Sequence, residues 1–295
     1  MIAKKFINNV LLGDALEIMK EIPDNAINLI ITSPPYWNAR LYGNETIGRE
    51  ENPLDYVRDF LPFALEIKRI LHSEGSFYLN LGDYYFGTKG FIRNKGSYAR
   101  KTDIHYQEHK IVKPDGKVLQ YKQRLLIPER IAIGMQEQGW ILRNNIIWEK
   151  PNAVPSRSPD RRYPVHESIF HFVKSRKYFF DLKIAKELNH HRDVIRCKVE
   201  PYKIHPASFP EKLIEPLILT TSKTNDLVFD PFVGSGTTLV VAKKCGRDYL
   251  GIDINPYFVD LSYKRLYDLE NIDTSSFISE TLFSDVRKKK SKKIL

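Results

Sequence analysis

Ser33, Pro34, Pro35 and Tyr36 form a compact set of groups suited to gripping a flat ring that carries an amino group. An amine on an aromatic ring is a poor nucleophile, because its lone pair is delocalised into the ring. Acceptors placed around it, the Ser33 hydroxyl and the Pro34 carbonyl, can bond its two N–H groups. That favours a tetrahedral nitrogen with its lone pair aimed at an electrophile. Consecutive prolines lack donors and fix φ, so they stiffen the backbone holding those acceptors. Tyr36 adds a face on which a planar base can stack. A bare Pro-Pro is a common turn after a strand; the string Thr32-Ser33-Pro34-Pro35-Tyr36-Trp37 is a more specific signal.

A second string, Asp230-Pro231-Phe232-Val233-Gly234-Ser235-Gly236-Thr237-Thr238, lies nearly two hundred residues later. Gly234 and Gly236 permit a tight turn and close approach of backbone to a ligand. The spacing lacks the third glycine of a dinucleotide fingerprint and the Gly-Lys-Ser/Thr of a phosphate-cradling loop, which turns the reading away from pyrophosphates and triphosphates. Asp253, nineteen residues beyond Gly234, can accept from ribose hydroxyls, and Asp230 beside the turn can hold a cationic amino-acid moiety. Cation, ribose and adenine together describe S-adenosylmethionine. A tight connection without any ligand would need the glycines alone.

The segments flanking these strings must place them. Lys5 to Leu12 reads as a strand closed by Gly13-Asp14, followed by a short helix from Ala15 to Lys20. Ala26 to Ile31 is a continuous apolar run broken only by Asn28, the length of a buried parallel strand, and it ends at Ser33-Pro34. Asn52-Pro53 opens a helix whose apolar stripe runs to Leu71, with Pro62 as a kink and Glu74-Gly75 as its end. Ser76 to Asn80 is the next strand, completing a βαβ unit and so a parallel sheet. A helix around Pro128 to Gln138 and strands at Ile141 to Trp148 and Ser168 to Val173 follow. Near the C-terminus come a capping box at Ser208 and Glu211, a strand at Leu227 to Phe229 and a helix from Thr237 to Cys245. A strand at Tyr249 to Ile252 and a helix from Pro256 to Leu269 complete the pattern. Two stretches break it. Tyr84 to Tyr121 reads as a long loop or insertion, and Leu182 to Ala207 as an irregular polar segment.

The chain has 295 residues, 42% of them hydrophobic and 12% aromatic, ample for a buried core. It lacks an apolar run of membrane-spanning length and an N-terminal signal core, so the expected setting is soluble and cytoplasmic, away from membranes. Only two cysteines, Cys197 and Cys245, argue against a disulfide framework or a four-ligand zinc site. The formal charge of +10 favours a polyanionic partner. Six of those positives are Arg287, Lys288, Lys289, Lys290, Lys292 and Lys293; removing six from +10 leaves +4 for the rest. That tail reads either as a solubilising end or as a phosphate-attracting arm.

The paired strings resemble the catalytic and cofactor motifs of bacterial DNA amino-methyltransferases. Their order, catalytic string first and glycine turn last, resembles the permuted β group of that family. Leu12-Gly13-Asp14 is similar to the element whose Asp contacts the cofactor adenine. His205-Pro206-Ala207-Ser208-Phe209-Pro210 is similar to the segment beside the methionine moiety, and Gly251-Ile252-Asp253 to the ribose-binding strand. Lys150-Pro151-Asn152 through His166-Glu167 resembles the loop and strand at the edge of the catalytic cleft. The resemblance covers roughly residues 8–83 and 126–270.

It implies a doubly wound, mostly parallel α/β sheet with an irregular DNA-recognition insertion. It also implies S-adenosylmethionine as cofactor, double-stranded DNA as partner, and a cognate restriction endonuclease acting on the same site. The cofactor would be held by Asp14, Phe209, Asp230, Phe232, Gly234, Gly236, Thr237 and Asp253, and the reaction carried by Ser33, Pro34, Pro35 and Tyr36. Serine at position 33 points within the family to N4 of cytosine, with adenine N6 as the alternative. Methylation at C5 would need a nucleophilic cysteine, typically after proline, whereas Arg196 precedes Cys197 and Lys244 precedes Cys245.

The expected division is 1–83 and 126–181 as catalytic core with a cleft-edge loop at 150–165. Residues 84–125 and 182–204 are expected to be variable DNA-contacting segments, 205–270 the cofactor half and 271–295 a basic tail. Candidate contacts to a duplex include Arg93, Lys95, Arg100, Lys101, His105, Arg157, Arg161, Arg162 and His190 to Lys198. A DNA-binding protein on a retired scaffold and an RNA methyltransferase stay open as other readings. His190-His191 lacks partners for a convincing metal set, so no metal is expected.

Overall fold

The computed structural model describes residues 2–37, 47–50, 52–86, 119–120, 122–155, 158–199 and 209–270. In chain order the elements are β1 (Asn9–Leu12), α1 (Ala15–Lys20), β2 (Ile27–Thr32), α2 (Pro53–Ile70), β3 (Leu71–Leu81) and α3 (Ile127–Glu137). Then come β4 (Ile141–Glu149), β5 (His166–Val173), α4 (Leu182–Glu187), β6 (Val194–Arg196), α5 (Glu211–Thr221), β7 (Leu227–Asp230), α6 (Thr237–Lys244), β8 (Asp248–Asp253) and α7 (Pro256–Glu270). They build one eight-stranded sheet in the order β1-β8-β7-β2-β3-β5-β4-β6. Only β5 runs against its neighbours β3 and β4; the other pairs are parallel.

The largely apolar character of β2 follows from its place at the centre of this sheet. Ile27 and Ile30 join the core under α1, α2 and α3, while Leu29 and Ile31 face the core under α5 and α6. Asn28, its one polar residue before Thr32, aligns the neighbouring strand β7: Asn28 Oδ1 accepts from the Leu227 N–H at 3.0 Å. The doubly wound, mostly parallel α/β expectation therefore holds.

The order of strand connection reverses at the parallel β2–β7 pair. From β2 the chain proceeds through α2 to β3 on one side; from β7 it proceeds through α6 to β8 on the other. Such a switch point leaves a crevice beyond the C-terminal ends of its two strands, where ligands of open α/β sheets bind.

Three local expectations are corrected. The helix from Pro53 stops at Ile70 rather than Gly75, because the chain straightens at Leu71 to pair with Ile27. Arg69 locks that end, its guanidinium donating to the Ile22 and Met19 carbonyls and to Glu66. Gly75 then lies so close to β2 that a Cβ there would be 2.6 Å from the Asn28 carbonyl oxygen. The stretch after Leu182 is not wholly irregular. Asp181 caps α4, and β6 extends the sheet edge, where Asn152 pairs with both backbone groups of Val199. Glu211 is the first residue of α5, behind Pro210 at the N-cap, rather than the third as a capping box needs, and Ser208 lies outside the described residues. Its carboxylate instead meets Lys244 at 2.5 Å and Arg265 at 3.1 Å.

Of the insertion from Tyr84 to Tyr121, the described ends are pinned together by a Tyr85–Arg124 bridge and by paired Phe86, Lys122 and Gln123 backbone bonds. Arg93, Lys95, Arg100, Lys101, His105, Arg157, His205 to Ser208 and residues 271–295 lie outside the described residues. No described helix is long and apolar enough to cross a membrane.

Candidate active site

Both strings leave the same edge of the sheet, from adjacent strands. Ile30 pairs with Phe229; β2 ends two residues on, at Thr32, and β7 one residue on, at Asp230, each running into its turn. One hydrogen bond ties the turns together: the Thr32 hydroxyl donates to Asp230 Oδ1 at 2.6 Å, both residues being buried.

Asp230 is the centre of that tie. It is 2% exposed and also accepts from the Thr238 hydroxyl at 2.8 Å and from the Phe232 N–H at 3.1 Å. Burial pushes its carboxyl up from 3.8 to about 6, against the three donors, which favour the charged form. The Thr32 bond joins the two turns, while the Phe232 and Thr238 bonds close the glycine turn on itself.

The glycine turn is braced from behind. Gly234 (φ +50°) donates its N–H to Asp253 Oδ2 at 2.9 Å, and its carbonyl accepts from Ser262 of α7 at 3.0 Å. At Gly236 (φ +78°) a Cβ would sit 2.8 Å from Ser262 Oγ, so this glycine serves the packing of α7 against the turn. Arg265, a residue that sequence reasoning missed, donates to the Ser235 carbonyl at 2.7 Å and to Thr237 Oγ1 at 3.0 Å. Thr237 is thereby held at the start of α6. Phe232 stays half-buried and lies against Phe63 of α2 at 5.4 Å between ring centroids. Phe209 is buried against the core beneath α5.

Asp14 and Asp253 close one side of the crevice. Asp14 Oδ1 caps α1, accepting from Leu16 and Glu17 N–H groups. Gly13 donates its N–H to the Asp253 carbonyl at 3.0 Å, so the ends of β1 and β8 lie side by side. Asp253 Oδ1 accepts from the Asn255 N–H. A nucleoside cofactor fits this ground: a glycine turn at the switch point, an acidic residue at the end of the following strand, and a half-buried aromatic ring beside the turn.

The proline turn is fixed from α2 and β3. The Tyr56 hydroxyl, fully buried, donates to the Pro35 carbonyl at 2.9 Å, and Trp37 Nε1 donates to the Glu50 carbonyl at 2.7 Å. Gly82 makes room for the Tyr36 ring, since a Cβ there would lie 2.7 Å from Tyr36 Cε2. The Tyr36 hydroxyl lies 3.2 Å from Ser33 Oγ, 3.0 Å from Glu167 Oε2 and 3.2 Å from Asn80 Oδ1. Burial and the Glu167 charge hold the Tyr36 phenol well above its usual range, so it stays protonated. Lys150 pairs with Glu167 Oε1 and lies over the Trp148 ring at 4.1 Å. Asn80, Lys150 and Glu167 were not among the expected reactive residues. Their chemistry emerges only when β3, β4 and β5 are brought edge to edge.

Among the cleft-edge cations, Arg161 stacks over the Tyr85 ring at 3.9 Å and Lys122 pairs with Asp160, which binds the 158–162 segment to the ends of the insertion. Arg162 is exposed. Cys245 is held by burial at about 12, a thiol that stays protonated, in line with a packing role.

A model of the DNA methylase family matches residues 27–264. Among curated relatives, the type II methyltransferase M.Cfr9I of Citrobacter freundii is 37% identical over 264 residues, 86% of each chain. M.XycI of Xanthomonas campestris pv. cyanopsidis is 38% identical, again over 86% of each chain. Among solved structures, the PvuII DNA methyltransferase (cytosine-N4-specific) superposes with a TM-score of 0.67 at 24% identity, covering 87% of this chain and 85% of that one. A putative DNA modification methylase of Thermus thermophilus, complexed with S-adenosyl-L-methionine, gives 0.59 at 24% identity, with 88% and 92% covered.

Proposed function

The chain belongs to the DNA methylase family, and we propose on that premise that it methylates N4 of a cytosine flipped out of duplex DNA. S-adenosylmethionine is the cofactor; when bound it supplies an electrophilic methyl group on a positively charged sulfur. The observation that carries this reading is the 2.6 Å bond from Thr32 to Asp230, which puts the amine-gripping turn and the cofactor turn on one crevice.

The chain's own residues divide the work. The turn from Asp230 to Thr237, with Phe232 at its rim, binds the cofactor together with Asp14, Asp253 and Phe209. Asp230 acts by holding the turn and by its negative potential, its oxygens being engaged by Thr32, Thr238 and Phe232. The Ser33 hydroxyl and the Pro34 carbonyl accept the N–H groups of the target amine and direct its lone pair along the line of transfer. Tyr36, its ring set against Gly82, offers a face to the extruded base. Pro35 is held by Tyr56, so the acceptors need no reorganisation as substrate arrives.

Serine at position 33 supports cytosine over adenine, as does the fold likeness to the PvuII enzyme, described as cytosine-N4-specific. Within the expected division, residues 84–125 and 182–204 and the basic tail contact the duplex, and a cognate endonuclease reads the same site. The deciding experiment is expression in a host free of its own DNA methylation, followed by nucleoside mass analysis and sequencing of modified bases. N4-methylcytosine at one short sequence is the expected result. N6-methyladenine would replace the base but keep the enzyme; unmodified DNA would leave a binding protein on this fold.

A further inference from the structure

We infer that Glu167 sets the hydrogen-bond polarity of the catalytic turn, so that Ser33 meets substrate only as an acceptor and admits an amine in preference to a carbonyl. The inference rests on the amino-methyltransferase reading of the same site and adds how that site rejects a base lacking the amine.

The polarity can be followed donor by donor. An ionised carboxylate accepts only. Glu167 Oε1 takes Lys150, and Oε2 is approached by the Tyr36 hydroxyl at 3.0 Å and Asn80 Nδ2 at 3.3 Å. Asn80 Nδ2 also donates to the Ser168 carbonyl at 3.1 Å. Two acceptor-only partners thus fix the Asn80 amide, and its Oδ1 must face Tyr36, 3.2 Å away. The phenol has one hydrogen and is offered two acceptors, Glu167 Oε2 and Asn80 Oδ1. Whichever receives it, the hydrogen points away from Ser33.

The Tyr36 oxygen is then left to accept from Ser33 Oγ at 3.2 Å. That consumes the one hydrogen of Ser33. No other partner of Ser33 is seen among the described residues, so its lone pairs are what the crevice receives. A hydroxyl that could have turned either way has become a fixed acceptor, matched to the N–H of an exocyclic amine. A carbonyl in the same place, as in uracil or hypoxanthine, would meet lone pair with lone pair. A site built this way rejects the mismatched group far more strongly than shape alone can. Lys150 sets an opposite charge against Glu167 where both are largely shielded from water, their side chains being 16% and 20% exposed. The five groups come from the ends of β2, β3 and β4 and the start of β5, which is why chain order conceals them.

Glu167 acts through Tyr36 and is a positioning residue. Glutamine at this position replaces the charged acceptor by an amide that can donate to Tyr36, leaving the neutral Asn80 Oδ1 to compete with Ser33 Oγ for the phenol hydrogen at the same 3.2 Å, so that Ser33 can also donate to substrate. The test uses the full chain and a duplex carrying its own modified site, with the target base opposite an abasic position so that unpairing costs nothing. Two forms of the target are compared, the amino base and its deaminated counterpart (uracil for cytosine, hypoxanthine for adenine). Wild type should bind the amino form at least about tenfold more tightly. In Glu167→Gln and in Tyr36→Phe, which keeps the ring and removes the hydroxyl, the preference should fall to within about threefold. Cofactor affinity should stay within threefold of wild type, and single-turnover methyl transfer should slow by at least about tenfold. Glu167→Asp, keeping the charge, should retain more of the preference than Glu167→Gln. A wild-type preference that survives in either variant, or that wild type lacks, overturns the inference. If wild-type protein transfers no labelled methyl to any DNA, it is the underlying enzymatic reading that fails instead.

Discussion

Replacing Asp230 by asparagine should change how the stability of this fold responds to pH. Burial lifts this carboxyl from 3.8 to about 6, so the folded chain binds its proton more tightly than the unfolded chain does. That difference corresponds to about 3 kcal/mol for a fully buried group. Because the folded-state value is the higher one, the stabilising contribution is fully present below about pH 4 and is lost as pH rises through about 6. Roughly half of it, about 1.4 kcal/mol, is lost between pH 5 and 7.5. Asparagine cannot ionise and carries no such loss. It must still satisfy the Thr32 and Thr238 hydroxyls and the Phe232 N–H, which adds an offset that does not vary with pH. Urea unfolding of wild type and Asp230→Asn at half-unit steps from pH 5 to 7.5 isolates the varying part. The stability difference should move in favour of asparagine by about 1–1.5 kcal/mol across that window. A difference flat to within about 0.3 kcal/mol, or one moving toward aspartate, would refute the claim that this carboxylate is held charged against its own desolvation.

Other perturbations probe the two turns separately. Thr32→Val removes one donor from the buried Asp230 and should cost about 1–3 kcal/mol in denaturant unfolding, with weaker S-adenosylmethionine binding by calorimetry. Gly236→Ala forces a side chain onto a φ of +78° and against Ser262, for an expected loss of about 1–3 kcal/mol; Ser262→Ala should recover part of it in the double variant. Ser33→Ala should slow single-turnover methyl transfer by about ten- to a hundredfold while leaving cofactor affinity within threefold. Arg162→Ala, if this exposed cation meets phosphate, should lower the slope of log affinity against log salt by about 1 in DNA titrations, whatever the sequence.

Much of the fold was readable because local patterns agreed with it. Ala15 to Lys20 is a helix capped by Asp14, the apolar run before Ser33 is a strand covered on both faces, and the final strand–turn–helix–strand–helix appears as its glycines and apolar stripes indicate. The errors lie where tertiary pairing overrode propensity. Leu71 continues a helical stripe, yet parallel pairing with Ile27 straightens the chain there. Val194 and Ile195 suit a strand, but three residues amid polar neighbours do not mark one along the chain; the edge of β4 recruits them.

The same division runs through the site. Residue types by themselves determined the chemistry, since a rigid acceptor turn with an aromatic face and a glycine turn flanked by aspartates suit few reactants. Only the packed sheet decided that the two turns meet, because Thr32 and Asp230 become neighbours solely through the pairing of β2 with β7. It also decided which hydroxyls point where. Hydrogen-bond direction around Tyr36 depends on partners drawn from β3, β4 and β5, and no spacing along the chain encodes that convergence.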